Sequence, residues 1–299
     1  MNSENMQNIR VGFIGLGVMG YHMALNLSRK SGALVIGYDI SEERLMKFEA
    51  AGGTVASGID EIYSTCDVIF QMLPTHETIS SSILRAVKLG KPDNIIVDLS
   101  SADPSIIQKL NTQVRKAGMH LLDSPVSGGN PMAQAGTLSI MTGGEEEVFN
   151  EIKPLLECMG TPVYTGPSGS GDTIKLINNM IGGAMLAVMA EGYALAERAG
   201  IDLNLLFEAT RGGFAGSPLY DNKIPKIILR DFEPGARIAV HHKDIVNALA
   251  FADRIGMQLP VTEKVYSIMH WMVENGYADE DQAGMIRYYE QQDAGTTEN

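Results

Sequence analysis

The sequence predicts an α/β fold in which a doubly wound sheet is followed by an all-α C-terminal domain, and three observations lead to this prediction. An apolar run at 11–14 enters a Gly-x-Gly-x-x-Gly segment at 15–20, and a helical pattern follows at once. Short apolar segments then alternate with helical segments up to residue 168, as in a sheet covered by helices on both faces. After residue 168 only helical patterns remain.

The glycine segment is the first element, and its three glycines have different uses. Gly15 permits a tight turn, Gly17 lets the backbone approach a pyrophosphate, and Gly20 lets the next helix pack closely on the strand. The helix N-terminus offers unpaired N–H groups to phosphates. A glycine-rich turn without chemistry is the alternative, but the flanking strand and helix favour a Rossmann-type dinucleotide site. The predicted cofactor-binding segment is Gly15, Leu16, Gly17, Val18, Met19 and Gly20.

Asp39 ends the second apolar run, about 20 residues after the glycine segment. A carboxylate at this point accepts hydrogen bonds from an adenosine ribose and repels a 2′-phosphate. Because no Arg stands beside it in the sequence, NAD is predicted rather than NADP. Like-charge rejection of this kind is worth roughly tenfold to hundredfold in selectivity.

The remaining strands and helices of the first part follow in alternation. Several strands are rich in Val, Ile and Leu, which is typical of parallel strands buried on both faces. The strands are predicted at 11–14, 34–38, 68–73, 95–99, 121–126, 138–141 and 163–165. The helices between them are predicted at 21–30, 42–51, 77–86, 104–117 and 145–159.

A turn-rich segment at 166–171 marks a domain boundary. Residues 1–168 are predicted to bind NAD, and residues 169–299 to form an all-α domain for substrate binding and oligomerisation. A long interdomain helix is expected at about 173–199; its apolar centre at 180–190 is too short to span a bilayer, so it is interpreted as a buried helix. Further helices are predicted at 204–210, 241–255, 260–275 and 279–291, and 293–299 is expected to fray.

Composition excludes several classes of protein. A net charge of −13 argues against nucleic-acid binding, which needs a basic face. Cys66 and Cys158 do not make a disulfide framework, and the polar N-terminus shows no signal peptide, so a cytoplasmic location is expected. No membrane partner is expected. No metal site is expected either, because the histidines lack ligand spacing.

Lys175 and Asn179 share one face of the predicted long helix. A lysine on a covered face is either a snorkelling side chain at a helix start or a desolvated amine that exchanges a proton with a substrate hydroxyl. Asn179, one turn on, can orient the same substrate. Spacing alone leaves these readings about even.

The turn Ser127-Gly128-Gly129 follows a predicted strand. Its hydroxyl and consecutive N–H groups can bind a carboxylate as an anion nest. An ordinary loop is the alternative, and on this segment alone it is the favoured one.

Together these segments resemble the β-hydroxyacid dehydrogenase family, which includes 3-hydroxyisobutyrate dehydrogenase, tartronate semialdehyde reductase and 6-phosphogluconate dehydrogenase. The resemblance covers roughly residues 11–290. It rests on ordered motifs: Gly-Leu-Gly-Val-Met-Gly at 15–20, Met-Leu-Pro at 72–74, Asp-Leu-Ser-Ser at 98–101, Ser-Gly-Gly at 127–129, Gly-x-x-x-Lys-x-x-Asn-Asn at 171–179 and His-Lys-Asp at 242–244.

The resemblance implies a role for each motif. The residues that flank the cofactor would be Leu73, Pro74 and Ser101, with Lys243 near the nicotinamide. Those holding the substrate carboxylate would be Ser127, Gly128 and Gly129. Lys175 would be the catalytic lysine, and Asn179 would position the substrate.

The chain also departs from the family pattern. Gly182 stands where the decarboxylating branch carries Glu, which favours hydride transfer without decarboxylation. Asp39-Ile40 stands where NADP-preferring members commonly have Asn-Arg, which favours NAD. Met132 changes the outer wall of the Ser-Gly-Gly turn.

The resemblance therefore implies an NAD-dependent dehydrogenase of a short β-hydroxy acid or aldehyde acid, with substrate at the domain junction, acting as a homo-oligomer (dimer or tetramer). The alternatives are an imine reductase-like enzyme and a non-catalytic dinucleotide-binding module, and Lys175 counts against both. Four cationic side chains of the second domain are candidates for binding a second anionic group of the substrate, although such side chains more commonly lie solvated at the surface. They are Arg211, Lys223, Lys226 and Arg230.

Overall fold

The structure is a computed structural model that describes residues 9–291. The expectations about the polar N-terminal start and the frayed segment at 293–299 fall outside these residues. The chain divides into two compact units between Lys175 and Leu176, and each is described by itself.

In its described part, from residue 9 on, the first unit is built on one mixed sheet of nine strands. Six strands pair in parallel in the order β3-β2-β1-β4-β5-β6: β1 (Arg10–Ile14), β2 (Leu34–Tyr38), β3 (Thr54–Val55), β4 (Val68–Gln71), β5 (Ile95–Asp98) and β6 (His120–Asp123). The strand order reverses between β1 and β4, which is the switch point over which doubly wound sheets bind dinucleotides.

Three more strands extend the sheet beyond β6. β8 (Leu138–Gly143) runs antiparallel to β6 and to β7 (Val126–Ser127), while β9 (Gly160–Gly166) runs parallel to β8. A single strand was expected at 121–126, and this is wrong. Pro125 has no N–H to donate and its carbonyl accepts from Met141, so the segment breaks into β6 and β7.

Between residues 9 and 169, seven helices cover the two faces of this sheet: α1 (Gly20–Lys30), α2 (Glu42–Ala50), α3 (Ile59–Thr65), α4 (His76–Leu89), α5 (Pro104–Lys116), α6 (Gly129–Ala135) and α7 (Glu146–Glu157). Neighbouring residues of a strand face opposite sides, so Phe13 and Phe70 belong to one buried cluster, whereas Ile14 and Ile69 belong to the other. The predicted doubly wound sheet is confirmed. The short elements β3, α3 and α6 do not stand out in the sequence pattern.

The second unit is helical. Its elements are α8 (Ser170–Arg198), which begins in the first unit, α9 (Leu203–Thr210), α10 (Pro218–Leu229), α11 (Ile238–Arg254), α12 (Pro260–Glu274), a 3₁₀ turn (Gln282–Met285) and α13 (Ile286–Gln291). Up to residue 291 no strand follows β9, so the all-α prediction is confirmed. The pattern does not predict α10, because Pro225 lies inside it, and it merges the 3₁₀ turn with α13.

The expectation that the centre of α8 is buried is wrong for one of its faces. In the most apolar stretch of α8, 33% of the residues are buried. Val188 is 67% exposed and Leu195 is 68% exposed. By length and composition α8 is a candidate membrane span, although core helices of soluble proteins meet the same criterion, so this is weak evidence.

A buried ion pair holds the second unit together. Lys223 of α10 donates to both oxygens of Asp281, at 2.8 and 3.0 Å, and both side chains are buried. Backbone N–H groups of Gly235, Ala236 and Ala283 also donate to this carboxylate. Burial alone would raise the pKa of Asp281, but these donors together lower it below its usual value.

Replacing Lys223 by Met is expected to lower the free energy of unfolding of this unit by about 3–5 kcal/mol, because the Asp281 carboxylate then stays buried without its cation. Urea unfolding followed by the fluorescence of Trp271, the single tryptophan, measures this. Lys226→Met is the matched control: its ammonium lies 3.9 Å from Asp281 but is partly exposed, so a loss below about 1 kcal/mol is expected. Equal losses in the two variants would contradict the assignment.

Candidate active site

The turn after β1 has the space that a pyrophosphate needs. Gly15 has a φ of +95°, and a Cβ there would collide with the carbonyl oxygen of Met72. A Cβ on Gly17, by contrast, would meet only the Arg44 guanidinium, at 3.9 Å. This turn lies at the switch point of the sheet and leads into α1, so the residues present fit a dinucleotide. Of the intervening residues, Leu16 is buried, Met19 is partly buried and Val18 is exposed.

Asp39 lies at the end of β2, and its carboxylate is buried. It accepts hydrogen bonds from the backbone N–H of Leu16 at 2.7 Å and of Ser41 at 2.9 Å. It therefore joins the glycine turn to the second strand. The expectation of no neighbouring Arg is wrong. Ser41 caps α2, and the first turn of that helix brings the Arg44 guanidinium to 3.3 Å from Asp39.

The loops after β4 and β5 lie side by side beyond the carboxyl ends of these strands. The Leu73 N–H donates to the Ser100 hydroxyl at 2.9 Å, and that hydroxyl donates to Asp98 at 2.6 Å. Leu73 and Ser101 are partly buried, and Pro74 is exposed. The predicted cofactor residues of both loops are thus held at one sheet edge by Ser100 and Asp98, two buried residues that the motif-based site prediction does not include.

The Ser-Gly-Gly turn begins on β7, where Ser127 pairs with Ser139 of β8. Gly128 has a φ of +134° and Gly129 a φ of +67°, conformations that side chains other than glycine rarely adopt. Ser127 is partly buried, while the two glycines are exposed. Two glycines are therefore needed for the turn itself, whatever it binds.

The start of α8 lies directly against β6 and against β8, the strand that pairs with the strand of this turn. A Cβ on Gly171 would collide with the carbonyl oxygen of Met141 on β8 and would lie 2.5 Å from that of Asp123 on β6. The Asp123 carboxylate also accepts from the N–H of Gly169 at 2.8 Å and of Asp172 at 3.1 Å. Lys175, one turn further along, is partly buried. The sheet thus holds the backbone of both the Ser127 turn and the Lys175 helix.

In the second unit, Asp244 holds two of the predicted site residues. The Asn179 amide donates to Asp244 at 2.7 Å, and the Lys243 ammonium lies 3.8 Å from the same carboxylate. The His241 ring also donates to the Asn179 carbonyl, with Nε2 at 2.8 Å. Asp244 is buried and was not among the predicted site residues; its position beside Lys243 was the available signal.

The four candidate cations all face acidic side chains. Arg211 pairs with Glu208 and Asp221, Arg230 with Glu197 and Glu290, and Lys226 with Asp231. The expectation of a solvated position is wrong for Lys223, which is buried against Asp281. Between residues 9 and 291, no group of three or more His, Cys, Asp or Glu side chains is arranged to hold a metal ion.

Known proteins resemble this chain over nearly its whole length. The family model of the NAD binding domain of 6-phosphogluconate dehydrogenase matches residues 10–167. The model of the NAD-binding region of NADP-dependent 3-hydroxyisobutyrate dehydrogenase matches residues 169–289.

Individual relatives agree with these matches. The 2-(hydroxymethyl)glutarate dehydrogenase of Eubacterium barkeri is 33% identical over 95% of this chain and 96% of its own length. The 2-hydroxy-3-oxopropionate reductase of Escherichia coli is 33% identical over 94% of this chain and 97% of its own length. The solved 3-hydroxyisobutyrate dehydrogenase of Mycobacterium tuberculosis with L-serine has a TM-score of 0.86 and 28% identity, covering 94% of this chain and 99% of that chain.

Proposed function

Because the chain belongs to the β-hydroxyacid dehydrogenase family of NAD(P)-binding oxidoreductases, we propose that it transfers hydride between NAD(H) and a short β-hydroxy acid or the corresponding aldehyde acid, without decarboxylation. The observation that carries the proposal is the packing of Gly171 on β6 and β8, since it holds the Lys175 helix against β8, the strand that pairs with Ser127 of β7. The names of the two 33% identical relatives both describe an oxygen on the carbon β to a carboxylate.

Each residue has one task in this proposal. The glycine turn at 15–20 and Asp39 would hold NAD(H), which would supply the hydride chemistry when bound. Lys175 takes the hydroxyl proton in oxidation and returns it in reduction, and its charged form stabilises the developing alkoxide. The Ser127 hydroxyl and the N–H groups of Gly128 and Gly129 hold the carboxylate. Asn179, held by Asp244, orients the substrate, and the family resemblance assigns Lys243 to the nicotinamide.

The substrate class is tested by a parallel assay of 3-hydroxypropionate, 3-hydroxyisobutyrate, glycerate, lactate and 1-propanol with NAD. We expect a β-hydroxy acid to have the highest kcat/KM. The alcohol without a carboxylate should be at least about tenfold poorer, because unpaired donors in the turn cost about 1–3 kcal/mol each. Lactate or propanol as the best substrate would overturn the proposed class, and imine reduction in preference to all of them would favour the imine reductase reading.

Replacing Lys175 by Ala is expected to lower kcat by about 10²–10⁴-fold, because the reaction loses its proton carrier. Binding of NADH, followed by its fluorescence, should change little. Lys153→Ala is the control, since that side chain is exposed and its ammonium lies 3.9 Å from Glu157. Near-normal turnover by the Lys175 variant would contradict its role. Loss of NADH binding would make Lys175 a cofactor ligand or a folding residue.

We also propose a preference for NAD over NADP, carried by the buried Asp39 carboxylate. The expected ratio of kcat/KM with NADH to that with NADPH is roughly tenfold to hundredfold. Arg44 beside Asp39 offers a 2′-phosphate one cation, so Arg44→Ala should lower activity with NADPH more than with NADH. Arg85→Ala, which breaks an exposed pair with Asp60, is the control and should leave the ratio unchanged. Equal or better catalysis with NADPH would contradict the preference.

The exposed face of α8 supports a homo-oligomer. Ile174, Ile181, Val188 and Leu195 follow one another at intervals of seven residues, so they form one stripe, and each is exposed. A second copy of this chain would cover apolar side chains that water otherwise contacts.

Replacing Val188 and Leu195 together by Glu is expected to reduce the molar mass in light scattering from a multiple of 32.3 kDa to that of one chain. Val163→Glu, at a similarly exposed apolar position on β9, should leave the mass unchanged. A single-chain mass for the unmodified protein would refute the oligomer.

A further inference from the structure

Three carboxyl groups are buried where β5 and β6 end and α8 begins. Asp98 and Asp123 are 0% exposed and Asp172 is 1% exposed. One oxygen of Asp98 and one of Asp172 have no hydrogen-bond partner within the described chain. The charges acting on Asp172 come from Asp123, Asp98 and Asp103, all of which are acidic. Burying three carboxyl groups together is costly unless they are hydrogen-bonded or protonated.

The hydrogen bonds of this cluster join three segments of the candidate site. Asp172 accepts from the backbone N–H of Ala102, at 2.9 Å, in the loop after β5. The backbone N–H of Asp172 in turn donates to Asp123 at the end of β6. Asp98 accepts from the Ser100 hydroxyl, which also accepts from the loop after β4. The path therefore runs from the two predicted cofactor loops to the first turn of α8.

The two sides of that first turn are held differently. On one side Gly171 touches backbone atoms of β6 and β8, which cannot move aside. On the other side the Asp172 carboxyl links this turn to the loop that carries Ser101 and Ala102. Lys175 is the last residue of the first compact unit and follows Asp172 by less than one helical turn. A shift of the α8 backbone at Asp172 would therefore move Lys175 with it, because both lie on the same helical turn.

We propose that Asp172 is a positioning residue: its carboxyl ties the cofactor loop after β5 to the first turn of α8 and thereby sets where Lys175 stands relative to that loop. This inference rests on the proposed function for its catalytic consequence. The tie itself is a property of the first unit. The essential atom is the accepting oxygen, because its loss leaves the buried Ala102 N–H without this hydrogen bond.

The protonation state of the cluster indicates which variant preserves the hydrogen bond between Asp172 and Ala102. Burial, together with the charges of Asp123 and Asp98, raises the pKa of Asp172 well above its usual value, and burial raises that of Asp123 to about 6. A protonated Asp172 still accepts through its carbonyl oxygen, and Asn has the same shape with the same acceptor. Asp172→Asn should therefore keep the hydrogen bond, whereas Asp172→Ala removes it.

Three variants test the inference, with the best substrate of the assay panel. Asp172→Ala should lower kcat by about tenfold or more, while KM and the Kd for NADH stay within about threefold. Asp172→Asn should restore kcat to within about threefold of the unmodified protein. Asn94→Ala is the matched control: Asn94 is a buried polar residue at the opposite end of β5, hydrogen-bonded to Lys91 and Cys66, so its loss should lower Tm and leave kcat unchanged.

Amide hydrogen exchange measures whether the link between Asp172 and the loop after β5 is present, and it needs no catalytic turnover. Peptides covering 100–103 and 170–176 should exchange faster in Asp172→Ala and at the normal rate in Asp172→Asn, while Asn94→Ala leaves both peptides unchanged. Unchanged exchange in Asp172→Ala, or an Asn variant as slow in catalysis as the Ala variant, overturns the inference. So does an Asn94 variant with the same loss of kcat. If the unmodified protein oxidises no substrate of the panel, the proposed function fails, and the exchange arm still decides whether the tie exists.

Discussion

The contact of Gly171 with the backbone of β6 and β8 is the constraint on which the rest of the site depends. A helix can approach bare strand backbone only where it carries no side chain, and a Cβ at this point would overlap the Met141 carbonyl. The contact sets where the longest helix of the chain starts and therefore which residues its first turns carry. It also makes the sheet, rather than a loop, the support for Lys175, and residues on rigid elements are held more accurately than residues on loops.

Buried carboxyl groups meet two opposite environments in this acidic chain. Asp281 has Lys223 and three backbone donors, and its pKa lies below the usual range. Its contribution to stability is present above the unfolded pKa and is lost as pH falls. Asp123 and Asp172 face backbone donors and other carboxylates, and their pKa values are raised. Their ionisation opposes folding as pH rises above the unfolded pKa. The first arrangement serves stability, and the second places carboxyl groups with raised pKa values beside the candidate site.

Asp39 illustrates how tertiary structure changes the meaning of a motif residue. In the sequence it ends a strand at the distance expected of a ribose ligand. In the structure two of its hydrogen bonds are already made to backbone N–H groups, and a guanidinium faces the remaining lone pairs. The carboxylate is thus a structural tie for the glycine turn as well as a recognition group, and Arg44 reduces the repulsion that it exerts on a phosphate.

The sequence by itself determined the elements whose evidence is local. The apolar run, glycine turn and helix at 11–30 and the helical character after residue 168 follow from period and turn chemistry, which act between near neighbours. Only the tertiary structure decided which distant residues meet. The break between β6 and β7 and the helix α10 around Pro225 are details that the local pattern did not predict. The burial of Lys223 and the links from Asp244 to Asn179 and from Asp172 to Ala102 join residues far apart in the chain. Such contacts depend on packing and on the satisfaction of buried polar groups, and neither leaves a periodic signal in the sequence.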